Sequence, residues 1–319
     1  MSMVLELREV GKRFKPRSFM RRQPPPRPAV ASLSLQLGEG ETLAIVGESG
    51  SGKSTTARLA MRLLEADHGR ILWNDVDVTE MSPRALRPLR RHIQMVFQDP
   101  YASLNPRMRI GESVGEGLRV HAPELSRRQR RDRVAEMLDL CGLDASVMDR
   151  YPHQFSGGQR QRIGIARSLI VEPKVLVLDE PVSALDVSVQ AQILNLLQQI
   201  QQDRGLAYLF ISHDLSVVQH VADRVLVMFA GHVVEEGDIE AIFAHPRHPY
   251  TKALLDARPI LHPAERRDRQ VEGEAPAEDI AATGCPYRQR CERASDACAS
   301  FDGALREMEG ISVACLHPR

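Results

Sequence analysis

Short runs of apolar residues recur along the chain, separated by stretches in which apolar positions repeat with a helical spacing. Apolar runs of about four to eight residues between turns are typical of buried strands, and repeats every three or four positions are typical of amphipathic helices. The pattern predicts strands over residues 4–14, 29–37, 42–46, 70–73, 93–97, 175–178, 206–212 and 225–229, helices over 55–64, 189–202 and 249–255, and a mostly helical region over 101–171. Strands that alternate with helices predict an α/β domain with a parallel sheet.

The regular spacing of apolar residues weakens after Leu255. Residues 259–284 are rich in Pro, Ala, Glu and Arg and show little apolar periodicity, which predicts a linker. A Pro- and Arg-rich loop is expected earlier, over residues 15–28. We therefore expect a large domain over residues 1–258 and a small extension over 259–319.

The strand predicted at 42–46 runs into a glycine-rich segment, 47–54, that fits the phosphate-loop spacing G-x-x-x-x-G-K-[ST]. Glycines in such a loop let successive backbone N–H groups turn toward a phosphate, and the following helix adds its positive end. Lys53 is predicted to reach the β- and γ-phosphates and Ser54 to ligate Mg²⁺. The candidate nucleotide-binding residues are Gly47, Glu48, Ser49, Gly50, Ser51, Gly52, Lys53, Ser54 and Thr55.

A wholly apolar run over residues 175–178 ends in two carboxylates, Asp179 and Glu180. Ligands of parallel sheets bind beyond the carboxyl ends of the strands, so both side chains are expected to face a ligand. Asp179 is predicted to hold Mg²⁺ through its water shell and Glu180 to polarise an attacking water.

Four further polar motifs are weak alone and gain weight beside these two. Residues 156–159 (Ser-Gly-Gly-Gln) open a predicted helix, with Ser156 as its N-cap and a second anion site at its positive end. Gln98 and His213 each follow a predicted strand, and Asp186 follows the carboxylate pair. In this company His213 is predicted to be functional rather than structural.

Together these motifs resemble the ATP-binding-cassette (ABC) family of ATPases over about residues 3–255. The resemblance implies a P-loop ABC ATPase fold: a RecA-like parallel-sheet core, an N-terminal antiparallel β subdomain and a helical subdomain over about 101–171. The cysteine-bearing extension would be added to it. ATP and Mg²⁺ are then the expected cofactors, with Ser54, Gln98 and Asp179 at the metal.

The resemblance also implies roles for single residues. Gln98 would sense the γ-phosphate and Mg²⁺, and His213 would contact the γ-phosphate. The signature motif, Ser156, Gly157, Gly158 and Gln159, would act on ATP held by a second ATPase subunit, with Asp186 at the same interface. Phe14 matches the aromatic residue that stacks on adenine.

Segments 98–107, 180–188 and 245–255 resemble more narrowly the second ATPase subunit of bacterial oligopeptide/dipeptide importers. This branch implies ATP-driven import of peptides or a related small solute. The implied partners are a second homologous ATPase subunit, two transmembrane permease subunits and an extracytoplasmic solute-binding protein. The implied location is the cytoplasmic face of the inner membrane, and the substrate is set by the other subunits.

Four cysteines of the tail, Cys285, Cys291, Cys298 and Cys315, have the spacing C-x5-C-x6-C-x16-C. Disulfides are not expected in a cytosolic chain, and the C-x2-C pair of classical zinc sites is missing here. Importer subunits with this pattern are associated with a [4Fe–4S] cluster, while zinc or free thiols stay open as alternatives. Cys141 is expected to be a small buried apolar residue.

Composition bears on the alternatives to an importer. Lys and Arg number 42, as do Asp and Glu, so the net charge is zero and a nucleic-acid partner is not expected. The basic cluster 127–133 precedes apolar periodic positions and predicts a solvated helix face. No run approaches the ~18 apolar residues of a membrane span, and the N-terminus lacks a secretory signal pattern. A soluble ABC ATPase acting on ribosomes or DNA, or a cluster-bearing regulator, are the other hypotheses.

Overall fold

The computed structural model describes residues 2–14, 27–257 and 283–319. The boundary predicted at 258/259, nearly all of the predicted linker and most of the predicted loop 15–28 lie outside these residues. The chain divides into two compact units. Unit 1 comprises residues 1–6, 36–42 and 72–211, and unit 2 comprises 7–35, 43–71 and 212–319.

The strands are β1 (Met3–Lys12), β2 (Val30–Gly38), β3 (Thr42–Val46), β4 (His68–Trp73), β5 (Val76–Asp77), β6 (Ile93–Val96), β7 (Val175–Asp179), β8 (Ala207–Ile211), β9 (Arg224–Phe229), β10 (His232–Asp238), β11 (Arg306–Met308) and β12 (Ile311–Val313). The helices are α1 (Lys53–Ala60), α2 (Pro83–Leu89), α3 (Ile110–Val114), α4 (Glu116–His121), α5 (Arg127–Leu140), α6 (Gly157–Leu169), α7 (Val187–Arg204), α8 (Leu215–Val221), α9 (Ile239–Ala244) and α10 (Pro249–Asp256). The predicted α/β class is confirmed.

Unit 1 contains a parallel arrangement of β6, β7 and β8. Val175 pairs with Ile93 on one side and with Ala207 on the other, and the register continues to Asp179 opposite Ile211. Every residue of β7 and β8 is buried, as expected for strands covered on both faces. The carboxyl end of β7 therefore delivers the first carboxylate of the pair at the end of a fully buried strand.

In unit 2 the strand order is β11-β12-β10-β9-β3. β3 and β9 are parallel, whereas β9–β10, β10–β12 and β12–β11 are antiparallel. The hairpin formed by β11 and β12 belongs to the cysteine-bearing tail. The tail thus adds its own strands to a sheet that carries the phosphate loop, which the sequence did not indicate.

A separate four-stranded sheet has the order β2-β1-β4-β5, with β4 and β5 antiparallel. Its strands alternate between buried and exposed positions, most clearly in β2. This alternation is what a sheet with one solvated face produces.

The region predicted to be mostly helical, 101–171, contains α3 to α6 and two short 3₁₀ turns over 145–149 and 152–154. On α5, Val134, Met137 and Leu138 are buried, while the arginines of the basic cluster lie toward solvent. The predicted solvated basic face is confirmed. Cys141 ends this helix fully buried, as predicted, and burial raises the pKa of its thiol to about 12.

The helix predicted over 55–64 is shorter than expected, since α1 ends at Ala60. Arg62 adopts a left-handed backbone with a φ of 49°, and the Leu63 amide bonds back to the carbonyl of Arg58. A residue in this conformation closes a helix, so the apolar residues 63 and 64 belong to the following turn. In the described parts of the chain, no helix is long and apolar enough to cross a membrane.

Candidate nucleotide-binding site

The phosphate loop connects the end of β3 at Val46 to the start of α1 at Lys53. Gly47 and Gly52 have φ values of 149° and 110°, which favour glycine. A Cβ atom at Gly47 would lie 2.1 Å from the carbonyl oxygen of Met228, and one at Gly52 would lie 2.4 Å from that of Ala29. Both glycines are therefore required by close backbone contacts as well as by conformation.

The Lys53 side chain is buried and lies along this loop. Its Nζ donates to the carbonyl oxygens of Gly47 and Glu48, both at 2.8 Å. Ser51 is also buried, and in the described part of the chain its Oγ has no hydrogen-bond partner. An ammonium group, a vacant hydroxyl donor and a helix N-terminus are chemically suited to a phosphate.

The carboxylate pair lies where β7 ends. Asp179 is the last residue of the strand and is 5% exposed. Glu180 has a left-handed backbone with a φ of 48°, and its N–H donates to the carbonyl of Ile211. Non-glycine residues in this region are uncommon and concentrate at functional sites.

Gln98, which lies just beyond the end of β6, donates from Nε2 to Oε2 of Glu180 at 2.7 Å. The hydrogen bond joins two residues that the sequence analysis had assigned to catalysis from separate motifs. A carboxylate held by a side-chain amide has a defined orientation, which a residue that positions water requires. Both residues belong to unit 1.

The signature motif forms the start of α6. Ser156 caps the helix by accepting from the Gln159 amide at 3.3 Å, and Gln159 Oε1 accepts from the Ser156 amide at 3.0 Å. This reciprocal pair is a capping box, in which each side chain satisfies a backbone donor. A Cβ atom at Gly158 would lie 2.4 Å from Cγ1 of Val189, so the glycine allows α6 to pack closely against α7.

The remaining predicted site residues lie at element ends. Asp186 precedes α7 as its N-terminal cap residue, and His213 is exposed just after β8. Phe14 is 49% exposed. Unit 1 contains Gln98, 156–159, Asp179, Glu180 and Asp186, whereas unit 2 contains Phe14, 47–55 and His213.

Sequence reasoning missed the residues that hold Glu48 inside the phosphate loop. Oη of Tyr250, on α10, accepts the backbone N–H of Glu48 at 2.8 Å. Arg290 in the tail binds the Glu48 carboxylate with two N–H groups, each at 3.1 Å. Arg290 lies 242 positions from Glu48, so no local pattern could have revealed the pair.

The four tail cysteines line one cavity, together with His248 and His317. Burial raises the pKa of Cys285 to about 11, and the neighbouring thiols Cys315, Cys298 and Cys291 add to this rise. The His317 amide donates to Sγ of Cys315 at 3.3 Å. Across residues 2–14, 27–257 and 283–319, no group of three or more His, Cys, Asp or Glu side chains meets the geometry of a metal-ion site.

Comparison with known protein families places two matches along the chain. The family described as ABC transporter matches residues 30–183. The family described as oligopeptide/dipeptide transporter, C-terminal region, matches residues 234–298 and so includes three of the four cysteines.

Curated relatives match most of the chain. The oligopeptide transport ATP-binding protein OppF of Salmonella typhimurium is 51% identical over 291 residues, which cover 90% of this chain and 87% of the relative. The dipeptide transport ATP-binding protein DppF of Escherichia coli is 48% identical over 288 residues, covering 90% and 86%.

Solved structures are similar over about three quarters of the chain. The dimeric post-hydrolysis state of the ATP-binding cassette MJ0796, bound to ADP and Pi, matches with a TM-score of 0.66 and 29% identity, covering 74% of this chain and 98% of that one. CbiO1 of Clostridium perfringens, part of the ABC transporter complex CbiONQ, matches with a TM-score of 0.66 and 30% identity, covering 76% and 92%.

Proposed function

Because this chain belongs to the oligopeptide/dipeptide branch of the ABC transporter ATPases and hydrolyses ATP, we propose that the hydrolysis powers import of peptides through a membrane permease. The relatives that match most of its length are named for oligopeptide and dipeptide transport. The observation that carries the proposal is the phosphate loop, in which Lys53 is buried and the backbone leaves no room for a Cβ atom at Gly47 or Gly52.

We assign ATP binding to residues 47–55, with Lys53 against the phosphates and Phe14 against the adenine. The close contacts at Gly47 and Gly52 support this assignment, as does the hydroxyl of Ser51, which has no hydrogen-bond partner among the described residues. Mg²⁺, when bound, would neutralise phosphate charge, and Ser54, Gln98 and Asp179 are the residues proposed to hold it.

In the hydrolysis step Glu180 is the proposed base that polarises the attacking water. The hydrogen bond from Gln98 supports this role because it fixes the orientation of the Glu180 carboxylate. His213 is the proposed contact to the γ-phosphate, where an exposed imidazole can donate a hydrogen bond to developing charge.

The signature motif is proposed to act on ATP bound to a second, homologous ATPase subunit, with Asp186 at the same interface. Its amide-rich helix start can stabilise an anion without adding a charged residue. The MJ0796 cassette, a structural relative, is a dimer with ADP and Pi bound. A heterodimer of two related ATPase subunits is accordingly our proposal for this chain.

Two transmembrane permease subunits and an extracytoplasmic solute-binding protein complete the proposed importer. The chain would then lie on the cytoplasmic face of the inner membrane, attached through the permease. The match of residues 234–298 to the oligopeptide/dipeptide C-terminal region supports this branch over an ABC ATPase that acts on ribosomes or DNA.

We further propose that Cys285, Cys291, Cys298 and Cys315 hold a [4Fe–4S] cluster. All four line one cavity, and the pKa of Cys285 and Cys315 is raised by burial, so thiolates there require a compensating cation. Backbone N–H donation to Cys315 fits a cluster ligand as well. Such a cluster, when bound, would crosslink the tail and could carry an electron.

Anaerobic purification tests the cluster. We expect brown protein with broad absorption near about 400 nm and roughly four iron atoms per chain. Zinc in place of iron, or metal-free protein that reacts fully with a thiol reagent, would contradict the proposal. A Cys291→Ser variant should lose the absorption and the iron.

The importer proposal is tested by extracting the tagged chain from membranes in mild detergent and identifying its companions. We expect two polytopic permease subunits and a second cassette ATPase. Ribosomal proteins or DNA in their place would contradict the transport proposal and leave the ATPase activity standing.

Uptake of a labelled tripeptide then connects the companions to function. Cells lacking the chain should recover ATP-dependent uptake with the unaltered protein and fail to recover it with Lys53→Ala. Lys174→Ala, which removes an exposed lysine outside the phosphate loop, is the matched control and should support normal uptake. Tight ATP binding by Lys53→Ala would contradict the phosphate-loop assignment.

A further inference from the structure

Glu48, inside the phosphate loop, is held from three directions by unit 2. Its carboxylate accepts two N–H groups of Arg290, its backbone N–H is bound to Oη of Tyr250, and its carbonyl accepts from Lys53. Paired, parallel N–H···O bonds between a guanidinium and a carboxylate fix orientation as well as charge. The conformation of the loop is therefore tied to a residue of the cysteine-bearing tail.

The Arg290–Glu48 pair is shielded from water. The side chain of Arg290 is 18% exposed and that of Glu48 is 30% exposed. The guanidinium also lies over the rings of Tyr287 and Phe229, at 5.4 and 5.8 Å from their centroids. Water and salt screen the charges of a partly buried pair less than those of an exposed ion pair. We therefore expect the loss of this pair to have a measurable effect on the phosphate loop.

An aromatic group continues the connection. The Tyr287 ring lies 5.4 Å from that of Tyr250 and 5.3 Å from that of Phe229, measured between centroids. Tyr287 and Arg290 both lie between Cys285 and Cys291, two of the residues that line the cysteine cavity. The segment that links the cysteines is thus the same segment that contacts the phosphate loop.

We propose that the tail segment 285–291 raises the affinity of the ATP site, with Arg290 as the positioning residue that holds Glu48 and neutralises its charge. The inference rests on the proposed assignment of ATP to the phosphate loop. Without Arg290, the Glu48 carboxylate would be a free negative charge within a loop that binds a polyanion, and like charges repel. Changes at the cysteines would reach the nucleotide in part through this contact.

Arg290→Ala tests the proposal on the full-length chain, with the Kd for a fluorescent ATP analogue in Mg²⁺ as the readout. We expect an affinity about five- to tenfold weaker, within the usual range of coupling between sites. Arg306→Ala is the matched control. Arg306 belongs to β11 of the tail, and its guanidinium also lies over an aromatic ring, that of Phe301. It should leave the affinity unchanged.

A rescue variant separates the proposed role from a loss of folding. Adding Glu48→Gln to Arg290→Ala removes the uncompensated charge and should restore most of the lost affinity. Equal affinity for Arg290→Ala and the unaltered chain, or no recovery in the double variant, would overturn the proposal. Failure of the unaltered chain to bind ATP would instead contradict the proposed function.

The coupling to the cysteines is measured with Cys291→Ser. Alone, it should weaken ATP binding, and combined with Arg290→Ala the loss should be smaller than the sum of the two single losses, because both changes act on the Arg290–Glu48 contact. Additive losses, or a Cys291→Ser variant with normal affinity, would show that the cysteines do not reach the ATP site through Arg290.

Discussion

Glu180 combines features that rarely occur in one residue: a left-handed backbone, a place just beyond a fully buried strand and a carboxylate held by the amide of Gln98. The left-handed backbone costs about 1–2 kcal/mol for a residue with a Cβ atom. Sequence reasoning identified the residue from its position after an apolar run, but it could not identify the backbone conformation or the bond to Gln98.

Replacing Glu180 by Gln should therefore separate ATP binding from ATP hydrolysis. We expect hydrolysis to fall by about 10²- to 10⁴-fold, the usual contribution of a general base, with ATP still bound. Glu172→Gln is a matched control, since Glu172 is an exposed glutamate with a φ of 55° just before β7. Turnover by Glu180→Gln at the rate of the control would remove Glu180 from the catalytic role.

The glycines of the phosphate loop should differ sharply in their tolerance of a methyl group. Gly47→Ala places Cβ against the carbonyl of Met228, whereas a Cβ at Gly50 meets nothing within 4 Å. Overpacking and backbone strain together predict a loss of about 3 kcal/mol in unfolding free energy for Gly47→Ala, against about 1 kcal/mol for Gly50→Ala. Urea denaturation measures both, and equal losses would contradict the close contact.

At the scale of elements, two helices begin with the same device. Ser156 with Gln159 starts α6, and Ser126 with Gln129 starts α5, each as a complete capping box. The first box belongs to the signature motif and the second lies in the basic cluster. The pair allows the contribution of a cap to stability to be separated from a contribution to function.

Ser156→Ala and Ser126→Ala should each lower the unfolding free energy by about 1 kcal/mol, the usual value of a capping serine. ATPase activity of the assembled complex should fall only for Ser156→Ala. Thermal unfolding and ATPase assays on both variants check this. Similar loss of activity in the two would reduce the role of Ser156 to that of a helix cap.

The sequence predicted four elements closely because their apolar spacing persists over several turns or a whole buried strand, whereas it predicted neither the seven-residue strand β10 nor the helices α8 and α9. Thus β3, β7, β8 and α7 were all predicted within two residues at each end. It did not predict α2, which begins with a proline and buries only Leu86, nor the three-residue strands β11 and β12. Those strands are too short for a period to appear, and the pairing of β12 with β10 depends on tertiary structure.

At the scale of the molecule, the predicted nucleotide motifs are divided between the two units. The phosphate loop and His213 belong to unit 2, and the carboxylate pair, Gln98 and the signature motif belong to unit 1. Motif spacing along the chain predicted which residues to examine in both. It could not predict Arg290 and Tyr250, because contacts across hundreds of residues leave no trace in local composition.

Stability should fall on mild acidification because burial lowers the pKa of His232 in the folded chain. Desolvation lowers the pKa of His232, so between its folded value and about 6.5 the unfolded chain binds a proton that the folded chain does not. Unfolding free energy therefore decreases as pH falls below about 6.5. In His232→Gln the decrease in melting temperature from pH 7 to 5.5 should be smaller, whereas exposed His220→Gln should behave like the unaltered chain.

The tail hairpin, β11 and β12, also forms one edge of the sheet described for unit 2. β10 bonds to β9 along one edge and to β12 along the other, and β12 in turn is covered by β11, a three-residue strand that carries Arg306 and Glu307. An open edge of seven residues would be a template for aggregation, whereas a short charged strand discourages a neighbour from adding. A chain that lacks residues 305–319 should accordingly aggregate on refolding, which light scattering would detect, so this hairpin would protect solubility.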